Sequence, residues 1–168
     1  MYNVRKVAED LYWVGANDHR LALFENIHPI PRGVSYNAYV LTDEKTVLFD
    51  TVDWSACRQL LENLDHVLAG RPLDYLVIHH MEPDHGASVQ EILLRYPGVK
   101  VVSSAKAFTM MRQFGFSTEG HECVEVKEGS TLSFGAHSLT FLSAPMVHWP
   151  EVLVSLDTTN GVLFSADA

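Results

Sequence analysis

The most informative stretch of this chain reads HHMEPDHG, residues 79–86. Five of its first seven residues carry imidazole or carboxylate groups. The apolar run from Asp74 to His79 indicates a short strand before it, and a predicted helix from about Gly86 to Tyr96 follows. Sites in α/β sheets form at the carboxyl ends of strands. Because mixed imidazole and carboxylate ligands suit iron, manganese or zinc, the stretch predicts a metal site.

The ligands of this stretch divide into two sets, since an extended loop presents alternate side chains in opposite directions. We expect His80 and Glu82 to face one ion and Asp84 and His85 to face another, while His79 points away and is structural. Each residue has a simpler interpretation: a lone histidine is usually hydrogen-bonded, Asp84 can cap a helix, and Glu82 can be solvated. Together, however, these groups would repel one another and lose hydration, and a cation removes both costs.

Two later segments supply further candidate ligands. SAPMVHWP, residues 143–150, places His148 in a proline-bounded loop, and FSADA, residues 164–168, places Asp167 after an apolar strand. Each is a weak indication alone, because loop histidines and turn aspartates are common. Beside the first segment they predict a third histidine and a bridging carboxylate. Within that first segment, Pro83 should stiffen the loop and Gly86 should allow a sharp turn into the helix.

The composition describes one ordinary globular domain. The chain has 168 residues, of which 47% are hydrophobic, and a net charge of −9, which argues against nucleic-acid or anionic-membrane partners. We find no signal peptide or membrane-length apolar run. Cys57 and Cys123 fit no metal or redox spacing, so we expect free thiols in a reducing cytoplasm.

Strands and helices alternate in the first two thirds, and the rest looks all-β. The pattern predicts an α/β or α+β fold with a mixed sheet and helices on its outer face. Asp53 is the expected N-cap of the first helix, and Phe108, Met111 and Phe114 should share one side of the last. The predicted strands are 11–15, 36–41 paired with 46–51, 74–79, 99–103, 123–127, 131–134, 137–143, 151–157 and 161–165, and the predicted helices are 54–69, 86–96 and 105–114.

The motif set resembles the flavodiiron proteins, also called rubredoxin:oxygen oxidoreductases, over essentially the whole chain. The matching residues are His80, Glu82, Asp84, His85, the segment His148-Trp149-Pro150, Asp167 and the stretch PRGVSYNAY at 31–39. The resemblance implies a metallo-β-lactamase-like αββα sandwich that binds two non-haem iron ions. By resemblance, His80, Glu82 and His148 would hold one iron, Asp84 and His85 the other, and Asp167 would bridge them.

Three further positions take their interpretation from the same resemblance. The counterpart of His85 does not always bind metal in the family, so that ligand is the least certain one. Trp149 would shape the pocket without binding metal. His19 would be a residue near the site, or simply a surface histidine.

The resemblance also implies a function, namely reduction of dioxygen to water or of nitric oxide to nitrous oxide. Electrons would come from FMN in a flavodoxin-like domain, supplied by a donor such as rubredoxin or a flavoprotein reductase, in a head-to-tail homodimer. Glu82 separates this function from that of the zinc hydrolases, which usually have histidine at its position, because an anionic oxygen ligand favours iron. The alternatives left open are an oxygen-binding di-iron sensor without turnover, a zinc hydrolase of the same fold and a scaffold without metal.

Parts of the family pattern lie outside these 168 residues. In the family, the second half of the sandwich donates another histidine, and the flavodoxin-like domain follows; no phosphate-binding glycine-rich loop is found here. We therefore expect residues 1–168 to form a metallo-β-lactamase-like di-iron domain that is incomplete at its C-terminus, with the flavodoxin-like domain absent. Half of a sandwich would expose the inner face of a sheet and a strand edge. We therefore expect this chain to pair with the missing half, to self-associate or to aggregate. The loss of one ligand predicts weaker binding at the second site.

Overall fold

The computed structural model describes all 168 residues, and its regular elements are short strands connected by helices and turns. In chain order they are β1 (Arg5–Lys6), β2 (Leu11–Trp13), β3 (Ala16–Asp18), β4 (Leu23–Phe24), β5 (His28–Pro29), β6 (Val34–Tyr36), β7 (Tyr39–Thr42), β8 (Thr46–Phe49), a 3-10 turn (Trp54–Ala56), α1 (Cys57–Leu68), β9 (Tyr75–Val77), α2 (Pro83–Gly86), α3 (Val89–Arg95), β10 (Lys100–Ser103), α4 (Ala105–Gln113), β11 (Cys123–Glu125), β12 (Thr131–Ser133), β13 (Ser138–Ser143), β14 (Leu153–Asp157) and β15 (Leu163–Phe164).

Two sheets dominate the fold. The first has seven strands in the order β1-β2-β7-β8-β9-β10-β11. Its strands from β1 to β8 are antiparallel, and those from β8 to β11 are parallel. The second is the antiparallel sheet β12-β13-β14-β15, and β3–β6 and β4–β5 form two small ribbons. The mixed first sheet and the all-β second half confirm the predicted fold class.

Alternating side chains of the first sheet pack into two separate cores. Leu48, Leu76 and Val101 face the helices, where they join one apolar cluster with residues such as Leu60 of α1. Their neighbours face the second sheet and form the other cluster, which includes Phe49, Val77, Val102, Leu139, Phe141 and Phe164. Burying each large apolar side chain stabilises the fold by about 1.5–3 kcal/mol. The layers are therefore helix, sheet and sheet, in agreement with the metallo-β-lactamase-like expectation.

Local signals explain where the first helix begins and ends. Asp53, the predicted N-cap, caps the 3-10 turn that leads into α1, where it accepts a hydrogen bond from the Ser55 amide at 2.9 Å. The α-helix itself begins after Ala56, which makes no side-chain capping bond. The helix ends at Ala69, whose φ of 48° is left-handed, followed by Gly70 at 89°, as expected of a glycine-assisted C-terminus. No helix of the structure has the length and apolar character that a bilayer span requires.

Three element predictions need correction. The helix expected over 86–96 begins later, as α3 at Val89, and a separate short helix, α2, precedes it from Pro83, a residue suited to a first helical turn. Between the two, the Ser88 hydroxyl donates to the Val52 carbonyl at 2.8 Å. Tyr36 does not extend β7, because it belongs to β6 and pairs with Ala16. Phe114 does not share the buried side of α4, since it is the C-cap residue and is 48% exposed.

Candidate metal centre

Three chain segments meet at one end of the two sheets. The first is the 79–86 segment, which follows β9 and contains α2. The others are the β13–β14 loop with His148 and the residues after β15 with Asp167. The amide of Leu153, at the start of β14, donates to the His79 carbonyl at 2.9 Å. This bond joins the second sheet to the first at the site.

The first cluster consists of His80, Glu82, His148 and Asp167, whose ligand atoms all lie within 4.8 Å of one another. The Nε2 atoms of His80 and His148 lie 3.1 and 2.8 Å from Glu82 Oε2. The same two nitrogens lie 3.7 and 3.4 Å from Asp167 Oδ2. His80 and Glu82 are buried, whereas the His148 side chain is 55% exposed. The cluster thus combines two nitrogen and two oxygen donors at the edge of the core.

The second cluster consists of Asp84, His85 and Asp167. His85 Nε2 lies 2.9 Å from Asp167 Oδ1 and 3.7 Å from Asp84 Oδ2. Asp167 therefore belongs to both clusters, with one carboxylate oxygen directed to each. The structure brings together all six predicted residues, and their grouping is the one that the sequence suggests.

The candidate ligands of the 79–86 segment face two clusters, but not because they alternate along an extended loop, as expected. Asp84 and His85 lie on α2, not on an extended loop, and Glu82 is the residue that precedes this helix. Gly86 is the last residue of α2 and has no positive φ. A Cβ added there would lie 3.3 Å from the Met81 side chain and 3.4 Å from its carbonyl oxygen. Gly86 is thus explained by close packing of the segment on itself, and the predicted sharp turn is wrong.

A buried carboxylate fixes the ring of His80. His80 Nδ1 donates to Glu151 Oε1 at 2.8 Å, and the Met81 amide donates to the same oxygen at 2.9 Å. Neither the His80 nor the Glu151 side chain is exposed to solvent. A neutral His80 with its proton on Nδ1 would direct the Nε2 lone pair at the Glu82 carboxylate, and these two acceptors would repel each other. Burial opposes a second proton on the ring, but hydrogen bonds to Glu151 and Glu82 outweigh it and raise the pKa of His80. A metal ion between Nε2 and Glu82 would take the place of that proton.

His79 lies behind the clusters, where it points between the sheets as predicted. Its Nδ1 donates to Asp50 Oδ2 at 3.0 Å, and its Nε2 accepts from the Ser155 hydroxyl at 2.8 Å. Asp50 Oδ2 also lies 3.6 Å from His85 Nδ1. Asp50 therefore links a structural histidine to a candidate ligand. His79 and Ser155 are fully buried, whereas Asp50 and His85 line a cavity beside the second cluster.

Burial and charge shift several pKa values at the site. Burial opposes protonation of His85, yet the hydrogen bond to Asp167 and the nearby Asp50 carboxylate outweigh it and raise the pKa to about 11. Burial raises the pKa of Asp84 to about 6, with His85 acting in the opposite direction and Glu82 and Asp167 adding to the rise. The hydrogen bond from His85 lowers the pKa of Asp167. Without a cation, a protonated histidine thus supplies the positive charge that the carboxylates need.

The donor set fits divalent cations. Two ligands bound at right angles with metal bonds of about 2.1 Å are roughly 3 Å apart, close to the observed contacts of Glu82 with His80 and His148. Asp84 Oδ1 is buried and has no hydrogen-bond partner, a costly state for a carboxylate oxygen. A second ion held by Asp84, His85 and Asp167 would neutralise this buried carboxylate.

Other predicted residues keep their expected surroundings. Trp149 packs edge-on against the His80 ring, with centroids 5.2 Å apart. His19 is exposed and lies in neither cluster, and its Nδ1 contacts the Arg32 carbonyl at 3.1 Å. It therefore fits the surface-histidine alternative.

The sequence interpretation missed Asp50 and Glu151, although an acid directly after the apolar run VLF and an acid three residues after His148 were both visible.

The chain is similar to known proteins over nearly its whole length. A family model described as ODP family beta lactamase matches residues 34–168. Two curated relatives are an anaerobic nitric oxide reductase flavorubredoxin homolog of Escherichia coli O157:H7 and an anaerobic nitric oxide reductase flavorubredoxin of Klebsiella pneumoniae. Each is 35% identical over 96% of this chain, which spans 40% and 34% of their lengths.

Solved structures give the same result. The rubredoxin oxygen:oxidoreductase of Desulfovibrio gigas matches with a TM-score of 0.88 and 33% identity, over 96% of this chain and 40% of that one. The flavodiiron protein of Giardia intestinalis matches with a TM-score of 0.89 and 25% identity, over 98% of this chain and 40% of that one. The family model covers most of the chain, and the fold agrees throughout. The chain therefore belongs to the ODP family of β-lactamase-like domains and corresponds to the N-terminal part of the flavodiiron proteins.

Proposed function

We propose that this chain is the di-iron-binding part of an oxidoreductase that reduces nitric oxide to nitrous oxide or dioxygen to water. His80, Glu82 and His148 would hold one iron, Asp84 and His85 the other, and Asp167 would bridge the two. The observation that carries the proposal is the shared position of Asp167, whose two oxygens face separate clusters. A bridging carboxylate holds two ions close together, as two-metal chemistry requires.

The residues around the clusters prepare the site for a small gas. A cavity of about 260 Å³ reaches the second cluster, and its lining includes Tyr39, Phe49 and Phe164 beside Asp84, His85 and Asp167. The lining combines apolar side chains with the polar groups of the second cluster, so a small uncharged molecule can reach that cluster through it. Two bound ferrous ions would supply the electrons for one reduction of two nitric oxide molecules. Trp149 shields the His80 ring on one side, and the cavity leaves the second cluster accessible.

The carboxylate at position 82 favours iron redox chemistry over zinc hydrolysis. Glu82 is 4% exposed, and its Oε2 contacts both histidines of the first cluster. An anionic oxygen donor stabilises the ferric state more than a neutral imidazole does, because the gained charge is larger. The same property gives a zinc-bound water less acidity, since the carboxylate neutralises part of the ion's charge. We therefore propose reduction by iron, and not hydrolysis by zinc, as the function of the site.

The remaining parts of the proposal concern what supplies the electrons. We propose FMN in a flavodoxin-like domain outside these residues as the immediate donor, in a head-to-tail homodimer. One solved relative is named a rubredoxin oxygen:oxidoreductase, which motivates a rubredoxin-type protein as the donor to the flavin. Cys57 and Cys123 are both free thiols, which supports the proposed cytoplasmic location.

A single-turnover measurement tests the function without an external donor. The chain is loaded anaerobically with two equivalents of ferrous iron and mixed with nitric oxide, and nitrous oxide is measured by gas chromatography. Two nitric oxide molecules, two electrons and two protons give one nitrous oxide and one water, so one nitrous oxide per two irons is the upper limit. We expect a lower yield from these residues alone, because one ligand of the second site is expected to lie outside them. Glu82→Gln should abolish the product. His121→Gln is the matched control, because His121 contacts the Val99 carbonyl outside both clusters.

Three results would contradict the proposal. Failure of the wild-type chain to bind iron would remove the metal centre. Reversible gas binding without nitrous oxide would favour the sensor alternative. Zinc-dependent hydrolysis of a thioester or lactam, with no reaction of the iron-loaded chain, would favour the hydrolase.

A further inference from the structure

We infer that Glu151 is the positioning residue of the first metal site, where its carboxylate holds His80 with Nε2 directed at the ion. The inference rests on the proposed metal centre and adds a residue that lies in neither ligand cluster. Glu151 precedes β14, and it reaches the site from the second sheet, whereas His80 follows β9 of the first sheet.

The contacts of Glu151 leave His80 one orientation. Its Oε1 accepts from His80 Nδ1 at 2.8 Å and from the Met81 amide at 2.9 Å. The second bond fixes the carboxylate against the backbone of the metal-binding segment, so the carboxylate cannot follow a rotation of the ring. The Ser104 hydroxyl donates to the Glu151 backbone carbonyl at 3.2 Å and holds the residue from the side of α4.

The burial of Glu151 shows that this arrangement serves a purpose beyond packing. The residue is 3% exposed, and its second oxygen, Oε2, is buried without a hydrogen-bond partner. A glutamate that served only to cap the Met81 amide could be replaced by a neutral acceptor without this cost. Its negative charge has a use if His80 carries a positive ion on the opposite nitrogen. Such carboxylate–histidine–metal arrangements fix the tautomer and make the ligand more basic.

The chain contains a matched pair that lacks the metal-binding partners. Asp157 is 1% exposed and accepts from His137 Nδ1 at 2.6 Å, so it is also a buried carboxylate bound to a buried histidine. His137 belongs to neither ligand cluster. Asp157→Asn therefore removes a similar structural contact and leaves the ligands of the metal centre unchanged.

The test combines zinc affinity with the protonation state of the His80 ring. Zinc is the probe because it is diamagnetic, and its stepwise affinity is measured by competition with a chelator for the wild-type chain and for Glu151→Gln, Glu151→Ala and Asp157→Asn. We expect one binding step to weaken about 10-fold in Glu151→Gln, which keeps the hydrogen bonds, and about 100-fold in Glu151→Ala. The other step, and both steps of Asp157→Asn, should stay unchanged. Nitrogen-15 NMR of the zinc-loaded chain should find the His80 proton on Nδ1 in the wild type and in Glu151→Gln, and faster exchange of that proton with water in Glu151→Ala.

The outcomes separate this inference from the proposed function. If the wild-type chain binds no zinc, the metal centre fails and the role of Glu151 fails with it. If the wild type binds zinc, only the inference is overturned by any of three results: the Glu151 variants bind zinc as tightly as the wild type, they weaken both steps equally, or Asp157→Asn weakens the same step as they do. Glu151→Gln decides the question if Glu151→Ala does not fold, since glutamine still offers an acceptor to the Met81 amide.

Discussion

Replacing Asp167 with asparagine should remove most of the stabilisation that metal ions give to this chain. Its Oδ1 lies 2.9 Å from His85 Nε2, and its Oδ2 lies 3.4 Å from His148 Nε2. One substitution therefore removes an anionic donor from both clusters. Glu82→Gln removes an anionic donor from the first cluster alone. The two variants should differ in how many ions they bind tightly.

The size of the effect follows from mass action. A ligand at 100 times its Kd stabilises the folded state by about 2.7 kcal/mol per site, so two sites give about 5 kcal/mol. For a chain of 168 residues, each kcal/mol raises Tm by roughly 2–4 °C, or about 11–22 °C in all. Glu82→Gln should keep about half of this rise. If Asp167→Asn weakens both sites about 100-fold, only about 0.4 kcal/mol per site remains, a rise of about 2–3 °C.

The assay is thermal unfolding followed by circular dichroism, anaerobically, with ferrous iron and without it. Each variant is compared with its own metal-free Tm, because Asp167→Asn also removes the acceptor of His85 and changes the metal-free stability. An equal metal-induced rise in the wild type and in Asp167→Asn would refute a shared bridging ligand. Equal losses in Glu82→Gln and Asp167→Asn would refute the division into two clusters.

Three other substitutions test parts of the fold around the site. Burial opposes protonation of His137, but hydrogen bonds to two carboxylates, one of them Asp157, raise its pKa. Protonated His137 therefore stabilises the fold fully below its unfolded pKa of about 6.5, and this stabilisation is lost as the pH rises through the folded pKa. In urea unfolding, His137→Gln should thus destabilise the chain more at pH 6 than at high pH. Phe164→Ala should cost about 3–5 kcal/mol in the same assay and weaken metal binding, because Asp167 follows β15 in the chain and β15 fixes its position. Leu60→Ala in α1 should cost about 2–5 kcal/mol and leave the metal affinity of the folded protein unchanged in chelator competition.

Much of the fold could be predicted because single-segment patterns determine it. The helical segment that follows Asp53 and the short apolar strands carry their periodicity and end signals within a few residues. The start of α3 at Val89 could not be predicted in this way, since the residue before it, Ser88, bonds to the Val52 carbonyl, which lies far away in the sequence. Phe114 is a similar case: spacing puts it near Met111, whereas its exposure depends on where α4 ends.

The candidate ligands could be predicted from residue type, but the residues that orient them could not. An imidazole or carboxylate in a loop is visible as a possible ligand wherever it occurs. Glu151 and Asp50 are acids like many others in this chain, and their roles depend on which histidine each one meets across the fold. Because both contacts join residues far apart in sequence, periodicity and local motifs carry no signal for them.

Strand direction explains why His148 and Asp167, which lie on either side of two strands, meet at one site. In the antiparallel second sheet, chain direction reverses at each strand, so the loop before β14 and the residues after β15 lie at the same end. The turn at 158–162, between β14 and β15, lies at the opposite end and can supply no ligand. Adding or removing one strand between His148 and Asp167 would move the carboxylate to that far end. The even number of strand passages between these two residues is therefore as necessary to the site as the residues themselves.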